Sequence, residues 1–535
     1  MPRQRVEQLG AIGLMPDPVP SSIPQNAWTS LVNVTTNDGS LRSVRGERKL
    51  FNVSVRPLYH ATYVGPTGRW YVVVSDGQKV MSYDLISQTE KEITPAADFT
   101  GGPVSFTNLN GVMVVNSATD GAFFWDTGAA DPLNQILAPL PGWDTDWRCR
   151  SIIAFRYFLV ALGMKEGNDS FPHKLRWSNS AQEGSLPTEW IPAVTNDAGD
   201  DILGETGGVI VGGAVVRDQL YIVKEDAIYS MSWIGGEYVM RVDRLKGGVG
   251  TRLERGFAAM QGGMVVFTTT DILFFDGQNS ASLVDGKLRN SITNEISEEL
   301  WERSQVYVHS ATSQLFVAGV SAGFQQLSSA LVFNYEEGTW GNRRLNFGYG
   351  FDEALVTVSA DLPSWDELAS QAPLNQKYPR MVGGQPWDEQ TDGSWNKGVY
   401  QPSVPDILLY ESNDADTSWW VSVIALSDTD SSGNPKYCRA ERVGMPIEGA
   451  DGMAMVTEVW PEIIGSIPVN ISIGGQISDG ASPVWDGPYE FIPGVGGSVT
   501  PRVTGRFICV RVESRAAGNW NLAALTYQWE RAGER

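Results

Sequence analysis

The chain has 535 residues, more than a single core normally supports, with 42% hydrophobic and 10% aromatic residues. With 57 glycines, 29 prolines and 19 tryptophans, it favours many short strands joined by turns over long helices. The formal net charge of −22 argues against a protein that grips nucleic acid along its surface, and the scattered Cys149, Cys438 and Cys509 offer neither a disulfide framework nor metal-ligand spacing.

The opening MPRQRVEQLGAIGLMPDPVP lacks a long apolar core, so no signal peptide is read there. Pro16, Pro18, Pro20 and Pro24 make residues 1–24 an extended N-terminal arm, either a disordered end or a strap laid on a neighbouring subunit. Leu31 to Val34 and Leu41 to Val44 then read as a hairpin turning at Asp38-Gly39. Arg42, Arg45, Arg48 and Lys49 gather a local positive charge. They are the candidate partner-contact residues: a solvated strand edge on one reading, contact with an acidic partner or a nucleic-acid backbone on the other.

Arg69 to Leu85 introduces a repeated unit: an apolar run, the turn pair Asp76-Gly77, a second run, and a Tyr83-Asp84 ending. Asp-Gly between β-formers is a strong hairpin signal, because both turn positions call for residues that tolerate positive φ. Val112 to Asp126 repeats the layout around Asp120-Gly121. Further units follow at Ile152 to Ser178, Gln219 to Trp233, Met264 to Gly277 and Gln314 to Trp340. Spacings of about forty to sixty residues, each holding several short strands, are those of propeller blades. The fold expected is therefore all-β: a β-propeller of six or seven blades over 25–349, the seventh assembled from the N-terminal hairpin and the segment after 350. Stacked sandwiches are the alternative.

Helix is scarce. Ser291 to Ser304 places Ile292, Ile296 and Leu300 on one helical face, and 366–370 is a weaker candidate. Residues 350–440 hold a long polar insertion, densest over 350–405, followed by closing propeller strands. Five strands within 441–535 then predict a separate C-terminal β-domain, sandwich or barrel-like; in one of them Ile508, Val510 and Val512 face opposite Phe507 and Cys509.

No catalytic, cofactor or metal constellation emerges. His60, His173 and His309 are isolated, and no phosphate-binding glycine loop is present. Asp428 to Gly433 begins like a calcium loop, but Arg439 stands where the bidentate acid belongs. Asp197, Asp200 and Asp201 read as a solvated loop. The longest apolar candidate, Ile152 to Met164, contains Arg156 and is too short to span a bilayer, so no membrane segment is expected.

AWTSLVNVTTNDGSLRSVRG near the start, and IPVNISIGGQ, VWDGPYEF, TGRFICVRVES and NWNLAALTYQWERAGER near the end, resemble the tail nozzle proteins of short-tailed bacteriophages, also called tail tubular protein B or packaged-DNA-stabilisation proteins. The resemblance implies a non-enzymatic virion protein assembled in the host cytoplasm. It implies a homo-hexameric ring below the portal and adaptor, in contact with tail fibre or tail-tip proteins, with double-stranded viral DNA held in its lumen until ejection. A receptor- or glycan-binding propeller and a polysaccharide hydrolase are the alternatives. For the hydrolase, the nearest approach to a sialidase box is Tyr335 to Trp340.

Overall fold

The computed structural model describes all residues except 66–67, 86, 88, 127–134, 237, 357–380, 383–384, 387–404, 448–451 and 533–535. Most of the 350–405 insertion and the 366–370 helix candidate lie outside the described residues.

Five four-stranded antiparallel sheets follow one another from Tyr59–Val64 to Ser280–Ser282. In each, the strands pair in sequence order. A sixth blade comprises Gln305–His309, Gln314–Gly319, Leu327–Asn334 and the first part of the long strand Thr339–Ala354. That strand turns at Phe347, whose φ is 53°, and continues as the inner strand of a seventh blade. Asp406–Ser412, Trp419–Ser427 and, from the N-terminus, Gly46–Val53 complete it. The seventh blade thus zips the start of the propeller chain to its end. First strands of successive blades touch around a full circle, including the seventh against the first.

Ring closure explains why the hairpins look more apolar than ordinary strands. A strand buried on both faces needs hydrophobic residues at every position. In Trp70–Ser75, Val72 and Val74 pack toward the seventh blade while Tyr71 and Val73 pack toward the second. In Gln219–Lys224, Leu220 and Ile222 join the core shared with the third blade, and Tyr221 and Val223 the core shared with the fifth. Every sequence-predicted unit supplies middle strands of a blade. The Asp76-Gly77 turn differs in one detail: Gly77 takes a positive φ, of 94°, but Asp76 does not, and the Asp76 carboxylate accepts the backbone N–H groups of Gln78 and Lys79. The loop is therefore held by an aspartate side chain, which tolerates more positions than a two-residue turn.

The C-terminal domain is a β-sandwich. One sheet holds Val484–Phe491, Val469–Gln476, Phe507–Ser514, Cys438–Pro446 and Ser30–Val32; the facing layer centres on Trp520–Arg531 paired with Ala454–Gly465. The stretch before residue 45 is divided differently from the sequence expectation. The arm's Arg3–Val6 adds to the edge of Trp520–Arg531, and the hairpin Val34–Asn37 with Ser40–Ser43 pairs there too, so both belong to the sandwich. The strap lies on its own chain because Val6 and Leu9 are buried in the sandwich core. The propeller begins instead at Gly46. The predicted helix is split: Arg289–Glu295 is α-helical, Ile296 turns extended and bridges Ser321, and Glu298–Arg303 continues as a 3-10 turn. Tertiary pairing at Ile296 overrides the helical spacing.

Candidate functional site

The four sequence-predicted basic residues separate by role. Arg42 and Arg45 are exposed and face a cleft of about 520 Å³ between the sandwich hairpin and blades six and seven. Arg45 reaches Asp428 at 3.5 Å; Arg42 makes no ion pair among the described residues. Across the cleft stand His309, Thr312, Gln314 and Asn334, with Arg343 and Asp406 also in its lining. Burial raises the Asp406 carboxyl above its usual range, against the pull of His309 and Arg48. Arg48 and Lys49 lie on the outer strand of blade seven and do not line the cleft. Lys49 instead places its ammonium 4.5 Å over the Trp420 ring.

Beneath this face is a sealed charge cluster that sequence reasoning missed. Glu47, 2% exposed, receives Arg343 at 2.6 Å and Lys436 at 2.5 Å. Burial opposes ionisation of Glu47, but the two cations overcome it and hold its carboxyl below the usual range. Glu411, fully buried, accepts Ser422 at 2.6 Å and the Trp420 indole at 3.1 Å. Burial and then the charge of Glu47 push it up to about 7. The cluster joins the outer and two middle strands of blade seven, the last strand of blade six and the approach to the sandwich. Its members are nearly 390 positions apart at the extreme (Lys436 to Glu47, |i−j| = 389), so no local motif could reveal it.

A second polar network lies on the propeller axis. Arg255 donates to His60 Nε2 at 2.7 Å and to the Leu58 carbonyl at 3.0 Å. A guanidinium only donates, so the imidazole proton resides on Nδ1 and is given to Asp352 at 2.7 Å. Tyr410 donates to the same carboxylate oxygen at 2.9 Å and stacks on the imidazole at 4.0 Å. Burial, then Arg255, keep His60 below its ordinary pKa and neutral. These residues come from blades one and seven and from the approach to blade five; they bolt the closing seam from inside. A cavity of about 370 Å³, lined by first-strand residues, adjoins them.

Other candidates resolve into structure. Asp200 pairs with Lys174 at 2.8 Å and Arg176 at 3.3 Å, and Asp197 accepts Ser180 at 3.0 Å. Asp430 caps its own loop through the N–H groups of Ser432 and Asn434. Burial pushes the Cys438 and Cys509 thiols up to about 11, away from thiolate chemistry. Trp340, closing the sialidase-like stretch, is fully buried and donates to the Leu283 carbonyl at 3.0 Å.

The fold defines a seven-bladed β-propeller protein carrying a β-sandwich built from both chain ends. No protein-family model matches the chain, and no curated protein does. Among solved structures, it is similar to a quinonprotein alcohol dehydrogenase-like protein of Bacteroides thetaiotaomicron, at 10% identity over 55% of this chain and 67% of that one, with a TM-score of 0.33. It is also similar to the Swd1 β-propeller domain of Myceliophteria thermophila, at 7% identity over 57% of this chain and 92% of that one, with a TM-score of 0.35.

Proposed function

We propose that the chain is a structural wall protein, the tail nozzle of a short-tailed bacteriophage. Six copies form a ring that continues the DNA channel below the portal and adaptor, retains the packaged genome and passes it during ejection. It works without catalysis, is assembled in the host cytoplasm and resides in the virion tail beside fibre or tip proteins. The observation that carries this reading is the union of the two stretches on which the resemblance rests. The initial hairpin and the final strands, at opposite ends of the sequence, form one sandwich in which Arg42 pairs with Asn521 and Leu41 with Leu522. A resemblance split between distant segments thus falls on one folded unit.

The net charge of −22 supports the same reading, since carboxylates facing phosphates repel and let DNA slide. The seam clusters around Glu47 and His60 supply stiffness. Electron microscopy and mass measurement of the purified protein test it: a six-fold ring that binds portal–adaptor complexes is expected, and a monomer that binds oligosaccharide refutes it. The glycan- or receptor-binding alternative draws on one surface. Arg156 lies 5.3 Å from the Trp233 ring, with Tyr157 and Tyr238 59% and 75% exposed in neighbouring turns. Glycan-array binding that disappears in Trp233→Ala would favour it.

A further inference from the structure

The cleft beside Arg42 and Arg45 has a chemistry of its own, independent of whether the chain forms a ring. We propose that it is a docking site for an acidic peptide segment of a partner protein.

The first argument is charge. Among the described residues, Arg42, Arg45 and Arg343 line the cleft against a single acid, Asp406. Arg343 is already matched by Glu47, and the Asp406 carboxyl feels Arg48 behind it. Among the described residues, the Arg45 guanidinium has only a solvent-exposed contact with Asp428 at 3.5 Å, a geometry that contributes little. Two guanidinium groups are therefore available to carboxylates, in a chain whose net charge is −22. A local positive concavity on an acidic protein steers an acidic segment to that place and repels it elsewhere.

The second argument is shape and hydrogen bonding. The cleft volume of about 520 Å³ falls within the range of about 300–1,000 Å³ typical of ligand pockets. On its opposite wall the Thr312 hydroxyl is taken up by His309 and Gln314, and the Asn334 amide oxygen by the N–H groups of Glu336 and Glu337, which leaves the side-chain NH2 groups of Gln314 and Asn334 to donate to peptide carbonyls or carboxylates. Arginine forks receive carboxylates in bidentate fashion, which fixes register as well as attraction. Nucleic acid fits less well: two available cations neutralise few phosphates, and the surrounding charge repels a polyanion of regular pitch.

Fluorescence anisotropy on the full chain tests the site, using a fluorescein-labelled hexaglutamate peptide, with hexalysine and a single-stranded hexanucleotide as controls. The peptide should bind and weaken with added salt. The double variant Arg42→Glu/Arg45→Glu should lose about tenfold or more in affinity. The double variant Arg241→Glu/Arg252→Glu changes the net charge equally at residues 65% and 75% exposed and should leave binding close to wild type. Absence of peptide binding, equal losses in the two double variants, or hexanucleotide binding as tight as the peptide's would each overturn the proposal. Both variants alter exposed side chains, and matching circular dichroism spectra establish that the fold is retained.

Discussion

Glu411 sets a pH dependence at the seam where the N-terminal strand completes blade seven. Its carboxyl is pushed from an ordinary 4.5 up to about 7 by burial and by Glu47, while Ser422, Ser431 and Lys436 pull the other way. The folded chain therefore holds a proton that the unfolded chain has released across this window. The associated stability is fully present below pH 4.5 and is lost as pH rises through 7. At about 1.4 kcal/mol per pH unit, the loss is about 3 kcal/mol. Glu411→Gln keeps the shape and stays neutral, so it should remove this slope. The assay is hydrogen exchange of Gly46–Val53 and Trp419–Ser427, read as opening free energy from pH 4.5 to 8.5 in wild type and variant. Taking the difference cancels other titrations, including that of His60. A difference that stays flat, or a wild-type seam that tightens relative to the variant as pH rises, would refute the reasoning.

Glu47→Gln should cost about 3–5 kcal/mol, because it leaves Arg343 and Lys436 buried without their shared carboxylate; urea unfolding followed by intrinsic tryptophan fluorescence measures it. The loss should be larger at pH 5 than at pH 8, where an ionised Glu411 takes over part of the compensation. Trp340→Ala should cost about 3–5 kcal/mol by opening a cavity where blades five and six meet the sandwich, measured by the same unfolding curves. Removing residues 1–9 should strip the strand from the Trp520–Arg531 edge and expose a pairing surface; light scattering should then report self-association. His60→Phe keeps a ring against Tyr410 but loses the bonds to Asp352 and Arg255. It should lower the melting temperature at pH 8, and it should abolish the His60 share of destabilisation on acidification below about pH 6.5, where unfolded histidine gains a proton that buried His60 refuses.

The blades were legible in the amino-acid sequence alone, because blade strands are local objects. Each hairpin closes over a few residues, its turn is marked by Asp-Gly or a similar pair, and burial on both faces writes an unbroken apolar run such as Tyr71 to Val74. The final strands were legible for the same reason, down to the alternation of Ile508, Val510 and Val512 against Phe507 and Cys509. The basic residues were visible as a group, but only tertiary packing separated Arg42 and Arg45, on the cleft, from Lys49, spent on Trp420. Membership of the first 45 residues was also decided in three dimensions: an edge strand carries no mark of which edge it will join, and burial of Val6 and Leu9 settled it. The Glu47–Glu411 and His60–Asp352 clusters were invisible in one dimension for a related reason. A buried charge is tolerated only when its partners converge around it, and here they converge from segments 195 to 389 positions apart across the closing seam of the ring.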